Sequence, residues 1–133
     1  SSYGGNPMAC AAALASIEVI EEEDILENVR TVGAFFMERM NRMKEQHPIV
    51  GDVKGKGFLL GIELVKDKKT KEPFDEAGKL VYQKAFRKGL AWIPAGHILR
   101  MPPPLIMDEK YATMGMDMIE DAITEVEKEF GYN

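Results

Sequence analysis

The feature that most limits what this chain can fold into is a change of hydrophobic period near residue 49. Upstream, Ile25, Val29, Val32, Phe36, Met40 and Met43 recur at three- to four-residue spacing, which lines one face of an amphipathic helix. Asp24 stands before this run as a predicted N-cap, and Pro48 predicts an end near Gln46. Downstream, "IVGDV" and "FLLGIELV" look like strands, with glycine-rich "GKG" at Gly55 to Gly57 between them. That arrangement predicts a hairpin. A helix running straight into a hairpin calls for a layered architecture.

The flanks fit the same plan. Asn6 is a good N-cap and Pro7 occupies the favoured first helical position, so a helix is predicted through the alanine-rich stretch to about Glu22. Its alanines let another backbone pack close. "KDKKTKEP", Lys66 to Pro73, is a polar, solvated turn. Asp75 or Glu76 opens a third helix with Leu80, Val81, Ala85 and Phe86 inward, and Gly89 supplies a left-handed stop. "LAWIP" and "HILRM" read as short strands. After Pro102 to Pro104, Asp108 caps a last helix whose Met114, Met118, Ile119, Ala122, Ile123 and Val126 share a face, ending near Phe130. The predicted order is helix, helix, strand, strand, helix, strand, strand, helix. The fold class is α+β (α/β layered), a small, mostly antiparallel sheet with helices packed on one face.

At 133 residues and 45% hydrophobic, the chain can bury a core of its own. The nine methionines read as adaptable core filling. A net charge of -5 argues against nucleic acid and against anionic membrane surfaces. Apolar runs such as "FLLGI" fall far short of the ~20 residues of a membrane span, and no secretory signal is seen. With Cys10 alone there is no internal disulfide, and a reducing cytoplasm is the expected compartment. His47 and His97 lack metal-ligand spacing. No metal site is proposed, and His47 reads as a helix-end residue.

Three stretches invite chemistry. "GKGFLLG" spaces its glycines as G-x-G-x-x-x-G inside a hairpin, whereas a dinucleotide fingerprint needs G-x-G-x-x-G between a strand and a helix. The nucleotide reading is rejected. "SSYGG" before the Asn6-Pro7 helix start offers hydroxyls, glycines and backbone N–H groups near a positive helix end, an edge that suits phosphate. In "HILRMPPPLIMDEK", Arg100 stands alone among apolar residues and prolines. Its planar fork pairs bidentately with a carboxylate.

Together, "SSYGGNPMACAAALASIEVIEEE", "VGDVKGKGFLLGIELV" and "ILRMPPPLIMDEK" closely resemble the C-terminal part of the class III aminotransferases. These are pyridoxal-phosphate enzymes of fold type I, among them acetylornithine, ornithine and 4-aminobutyrate transaminases. The family motif is Ser-Thr-(Phe or Tyr)-Gly-Gly-Asn-Pro, whose first two residues help hold the cofactor phosphate across a dimer interface. By that resemblance Ser1 and Ser2 are cofactor-binding, with serine in place of threonine at the second position. Arg100 falls on the arginine that binds a substrate carboxylate. The resemblance implies a phosphate-contacting loop and connecting helix at 1–23 and the small C-terminal domain at 24–133.

The family's cofactor-bearing lysine and its acidic partner lie upstream of this motif, so no catalytic residue is expected within these residues. None of Lys54, Lys56, Lys66, Lys68, Lys69 or Lys71 has a setting that would lower its pKa. The implied partners are a small-molecule amino donor and a keto acid, with a homodimer or higher homo-oligomer. Two other readings stand beside transamination: a racemase, epimerase or aminomutase of the same family, and a folded module without catalysis of its own. Cut from a larger domain, the alanine-rich helix is expected to drive self-association.

Overall fold

In the computed structural model the described residues are 2, 4–93 and 96–132. Helix α1 spans Pro7–Glu22, and Asn6 caps it as predicted, its Oδ1 accepting the N–H of Met8 at 3.0 Å and of Ala9 at 3.3 Å. Glu23 and Asp24 then turn the chain into α2, Ile25–Gln46. Asp24 is not the side-chain cap that the sequence predicts. Its backbone lies at φ 49°, ψ 35°, because a connector this short must reverse direction sharply, and aspartate tolerates the left-handed region better than most residues. Its carbonyl serves the helix instead, accepting the N–H of Glu27 and Asn28.

Ile25, Val32, Phe36, Met40 and Met43 are buried and Val29 half-buried, so the helical period holds along α2. β1 (Val50–Lys56) and β2 (Leu59–Leu64) form the predicted antiparallel hairpin. Gly57 takes φ 57° at its tip, and α2 crosses so close that a Cβ on Gly33 would sit 2.9 Å from the Gly57 Cα. Phe58, beside it in the turn, is buried edge-on against Phe36 with centroids 5.8 Å apart. The hairpin tip is thereby fixed to α2.

α3 spans Asp75–Arg87 and stops at Gly89, φ 109°, as predicted. Val81 and Ala85 face inward and Leu80 is half-buried, but Phe86 is 56% exposed and lies beside Tyr82 on the outside. β3 covers Ile98–Met101 and α4 covers Glu109–Glu129. Asp108 caps α4 by accepting the Tyr111 N–H at 2.8 Å. Along α4, Met114 is exposed and Met116 is buried in its place. Met116 shares the three- to four-residue spacing of Ala112, Ile119 and Ile123, whereas Met114 falls on the opposite side of the helix.

The sheet runs β1-β2-β3, antiparallel throughout, with α2, α3 and α4 packed around one shared core. The α+β class therefore stands, with one strand fewer among the described residues than predicted. Among the described residues "LAWIP" makes a single bridge, Ile93 to Arg100. Trp92 holds that segment to α3 instead, stacking on Tyr82 and donating its indole N–H to the Tyr82 carbonyl at 3.4 Å. Pro94, which lies outside the described residues, has no N–H to extend a ladder.

His47 does end α2, but it is also buried among carboxylates. Its Nδ1 lies 2.8 Å from Glu127 Oε2 and its Nε2 3.6 Å from Glu120, while Ile49 donates its N–H to the other Glu127 oxygen at 3.3 Å. The hydrogen bond to Glu127 raises the His47 pKa above its ordinary value, against the opposing effect of burial.

α1 contributes no buried residue; Met8, Leu14 and Ile17 are 83%, 61% and 53% exposed. An apolar helix surface of this kind drives association. Sedimentation velocity on the 133-residue chain should show mass rising with concentration, and Leu14→Lys combined with Ile17→Lys should return it to a monomer. A wild-type monomer at every concentration would contradict this.

Candidate functional site

Arg100 owes its position to alternation along β3. Leu99 and Met101 point into the core and Ile98 and Arg100 point out, so the buried pair anchors the strand while the guanidinium meets solvent. Arg100 pairs with Gly61 on β2, and Gly61 in turn pairs with Lys54 on β1. Among the described residues Arg100 has no ion-pair or hydrogen-bond partner for its side chain.

Both ends of β3 are secured. At its start, Asp75 on α3 accepts the His97 N–H at 2.9 Å and faces the His97 ring Nδ1 at 3.0 Å. These contacts hold the Asp75 carboxyl below the usual carboxylate range. At its end, Asn28 on α2 donates to the carbonyls of Leu105 and Met107 at 2.9 and 3.0 Å, strapping down the proline segment. Asn28 and Asp75 are positioning residues that sequence reasoning did not pick out for this purpose. An Asn on the edge of a helix carries no local signal that it reaches residues 77 and 79 positions away.

Ser2 is exposed before α1, and Ser1 lies outside the described residues. The predicted helix-end anion edge is modified here. Asn6 already takes the Met8 and Ala9 donors and its carbonyl takes the Cys10 N–H, while Pro7 has none. Among the described residues an anion at this segment is therefore left with the loop backbone and the Ser2 hydroxyl. Ser2 and Arg100 share no element: α1 packs on α2, and β3 lies across the sheet.

No described lysine is buried. Lys54, Lys66, Lys84 and Lys88 are raised above their ordinary pKa by the hydrogen bonds they donate to carboxylates, first Glu63, Glu72, Glu129 and Glu125 respectively. A nucleophilic amine needs the opposite shift. Among the described residues no group of His, Cys, Asp and Glu is placed to hold a metal, and no helix is long and apolar enough to cross a membrane. A groove of about 230 Å³ lies between α4 and the segments flanking β3, walled by Phe36, Trp92, Met101 and Met116. It is apolar and does not include Arg100.

The family model for class III aminotransferases matches residues 1–123. The chain belongs to the class III aminotransferases. A leucine/methionine racemase of Thermococcus litoralis is 45% identical over 127 residues, covering 93% of this chain and 28% of the racemase. An (R)-1-hydroxy-2-aminoethylphosphonate ammonia-lyase of Vibrio splendidus is 42% identical over 129 residues, covering 96% of this chain and 27% of the lyase. In three dimensions the chain is similar to a pyridoxal-phosphate-bound amine transaminase from an uncultivated Pseudomonas species, with TM-score 0.88 and 33% identity over 95% of this chain and 29% of that one. The chain thus spans a little over a quarter of the length of the curated relatives it matches. Pyridoxal phosphate is the cofactor of this family, and among the described residues Ser2 carries an exposed hydroxyl, a group that can donate to a phosphate oxygen.

Proposed function

We propose that this class III chain is the C-terminal part of a pyridoxal-phosphate-dependent aminotransferase that moves an amino group from an amino acid or ω-amino compound to a keto acid. Arg100 carries the reading. A guanidinium without a partner among the described residues, on a strand anchored at both ends, is arranged to receive a carboxylate in bidentate fashion. When bound, the cofactor would supply an electron sink for the bond broken at the amino-bearing carbon. This chain's own contribution is binding. Arg100 orients the substrate by its carboxylate, and Ser1 and Ser2 donate hydroxyl hydrogen bonds to the phosphate held by a neighbouring subunit. Residues 1–23 serve as the phosphate loop and connecting helix, and 24–133 as the small domain. The whole enzyme is a cytoplasmic homodimer or higher oligomer.

Relatives that racemise amino acids support a second reading, in which the same binding parts serve a racemase or epimerase. One experiment separates the two. The full-length enzyme is given an amino acid with and without a keto acid, and chirality and amino transfer are followed together. Transfer that requires the keto acid is expected; racemisation without it favours the second reading. Arg100→Ala should raise KM for carboxylate substrates by about a hundredfold, the loss of a charge-assisted bidentate pair. An unchanged KM would remove Arg100 from the site.

A further inference from the structure

Among the glycines of the described strands, Gly61 is the one that the fold itself does not explain. It sits inside the central strand, paired on both sides, where glycine weakens a sheet. Other glycines have internal reasons. A Cβ would come within 2.9 Å of Gly57 backbone at Gly33, 2.5 Å of Val65 at Gly51 and 1.9 Å of the Gly96 carbonyl oxygen at Gly78. At Gly61 the backbone is outside the positive-φ region, and a Cβ would meet only Ile98 Cγ2 at 3.6 Å and the Leu99 oxygen at 4.0 Å. Those are ordinary contacts. A strand-interior glycine that nothing inside the domain requires marks a place where something outside it comes close.

The register says what lies beside that place. Gly61 stands directly between Lys54 and Arg100, on the face of β2 opposite the buried Leu60 and Ile62. Adjacent strands are about 4.8 Å apart, so a side chain at position 61 would stand beside the paired Arg100 on the same sheet face, the face from which a carboxylate would reach the guanidinium. Lys54 is already occupied, at 2.8 Å from Glu63 and 3.7 Å from Asp52. It forms a wall of the notch and leaves Arg100 as the anchor. Ile98, 39% exposed, gives the notch an apolar side.

We propose that Gly61 is a specificity-determining position: its missing side chain keeps open the notch beside Arg100 through which the substrate carboxylate enters. This rests on the reading of Arg100 as the carboxylate anchor. Side chains of increasing size at 61 exclude carboxylate substrates progressively, without disturbing the sheet that carries them.

The test uses the full-length enzyme bearing Gly61→Ala, Gly61→Val, Arg100→Ala and the Gly61→Val/Arg100→Ala pair. Substrates are the best amino acid from a panel of α- and ω-amino acids and 1-phenylethylamine, which has no carboxylate. KM for the amino acid should rise stepwise from Gly to Ala to Val, by roughly tenfold or more at valine. The preference for amino acid over 1-phenylethylamine should fall in parallel, with no lowering of the thermal midpoint for Gly61→Ala. In the Arg100→Ala background the valine should add no further rise. If Arg100→Ala raises KM and Gly61→Val does not, or if valine costs as much with Arg100 absent, the role of Gly61 is overturned and the anchor stands. If Arg100→Ala leaves KM unchanged, the anchor itself fails and the notch with it.

Discussion

Glu127→Ala should destabilise the domain by about 3 kcal/mol at pH 6, the low end of the range for breaking a buried ion pair. The substitution strips His47 of the carboxylate 2.8 Å from its Nδ1 and leaves the Ile49 N–H without its acceptor, both in the core. His47 relieves part of the cost by releasing its proton, which is why the low end applies. Against a total stability of ~5–15 kcal/mol for a domain, that loss is plain in a urea titration.

The wild-type domain should also be more stable at pH 6 than at pH 8. Glu127 raises the folded-state pKa of His47, so the contribution of the charged imidazole is fully present below the unfolded value of about 6.5 and is lost as pH rises through the folded one. Glu120 faces the same ring at 3.6 Å and is itself tied to Arg39 at 2.8 Å. Glu127→Gln keeps an acceptor for Ile49 and removes the charge, so it should flatten the slope at modest cost. A wild-type stability that climbs from pH 6 to pH 8 would contradict the pairing.

What could be read from sequence here divides by range. The face of α2, the caps at Asn6 and Asp108 and the stop at Gly89 are local signals, written within one or two turns of where they act. Asp24 misled because the length of the connector, not the identity of its residue, decided the backbone there. "LAWIP" misled because Trp92 found a partner on α3 that no strand pattern reveals. Arg100 stands out as a candidate by resemblance and by its isolation among apolar residues. The parts that hold it were not legible, since Asn28 acts on carbonyls more than 70 positions away and Asp75 on a histidine in another element. The same holds for His47, whose partner is 80 positions downstream.

That dependence on distant partners makes Gly78→Ala the second large effect. A Cβ at Gly78, near the start of α3, would lie 1.9 Å from the Gly96 carbonyl oxygen, 2.8 Å from the carbon bearing it and 3.1 Å from the His97 Cα. All three are backbone atoms, so no side chain can swing aside. Either the Gly96–His97 turn lifts off α3, breaking both Asp75 contacts, or α3 retreats from the sheet. The expected cost is about 3 kcal/mol, the upper end for overpacking, which is a fall of roughly 6 to 15 °C in melting temperature. Because β3 begins at the next residue, Arg100 moves with the turn, so KM for carboxylate substrates should rise in the full-length enzyme as stability falls. Gly115→Ala supplies the contrast. There the new Cβ meets only Leu90 Cδ1 at 3.7 Å, and alanine in a helix interior is worth up to ~1 kcal/mol over glycine, so the melting temperature should rise. If Gly78→Ala melts where the wild type does, the close crossing at Gly96 is not what holds β3, and the placement of Arg100 must come from the pairing with β2, the buried Leu99 and Met101 and the Asn28 strap.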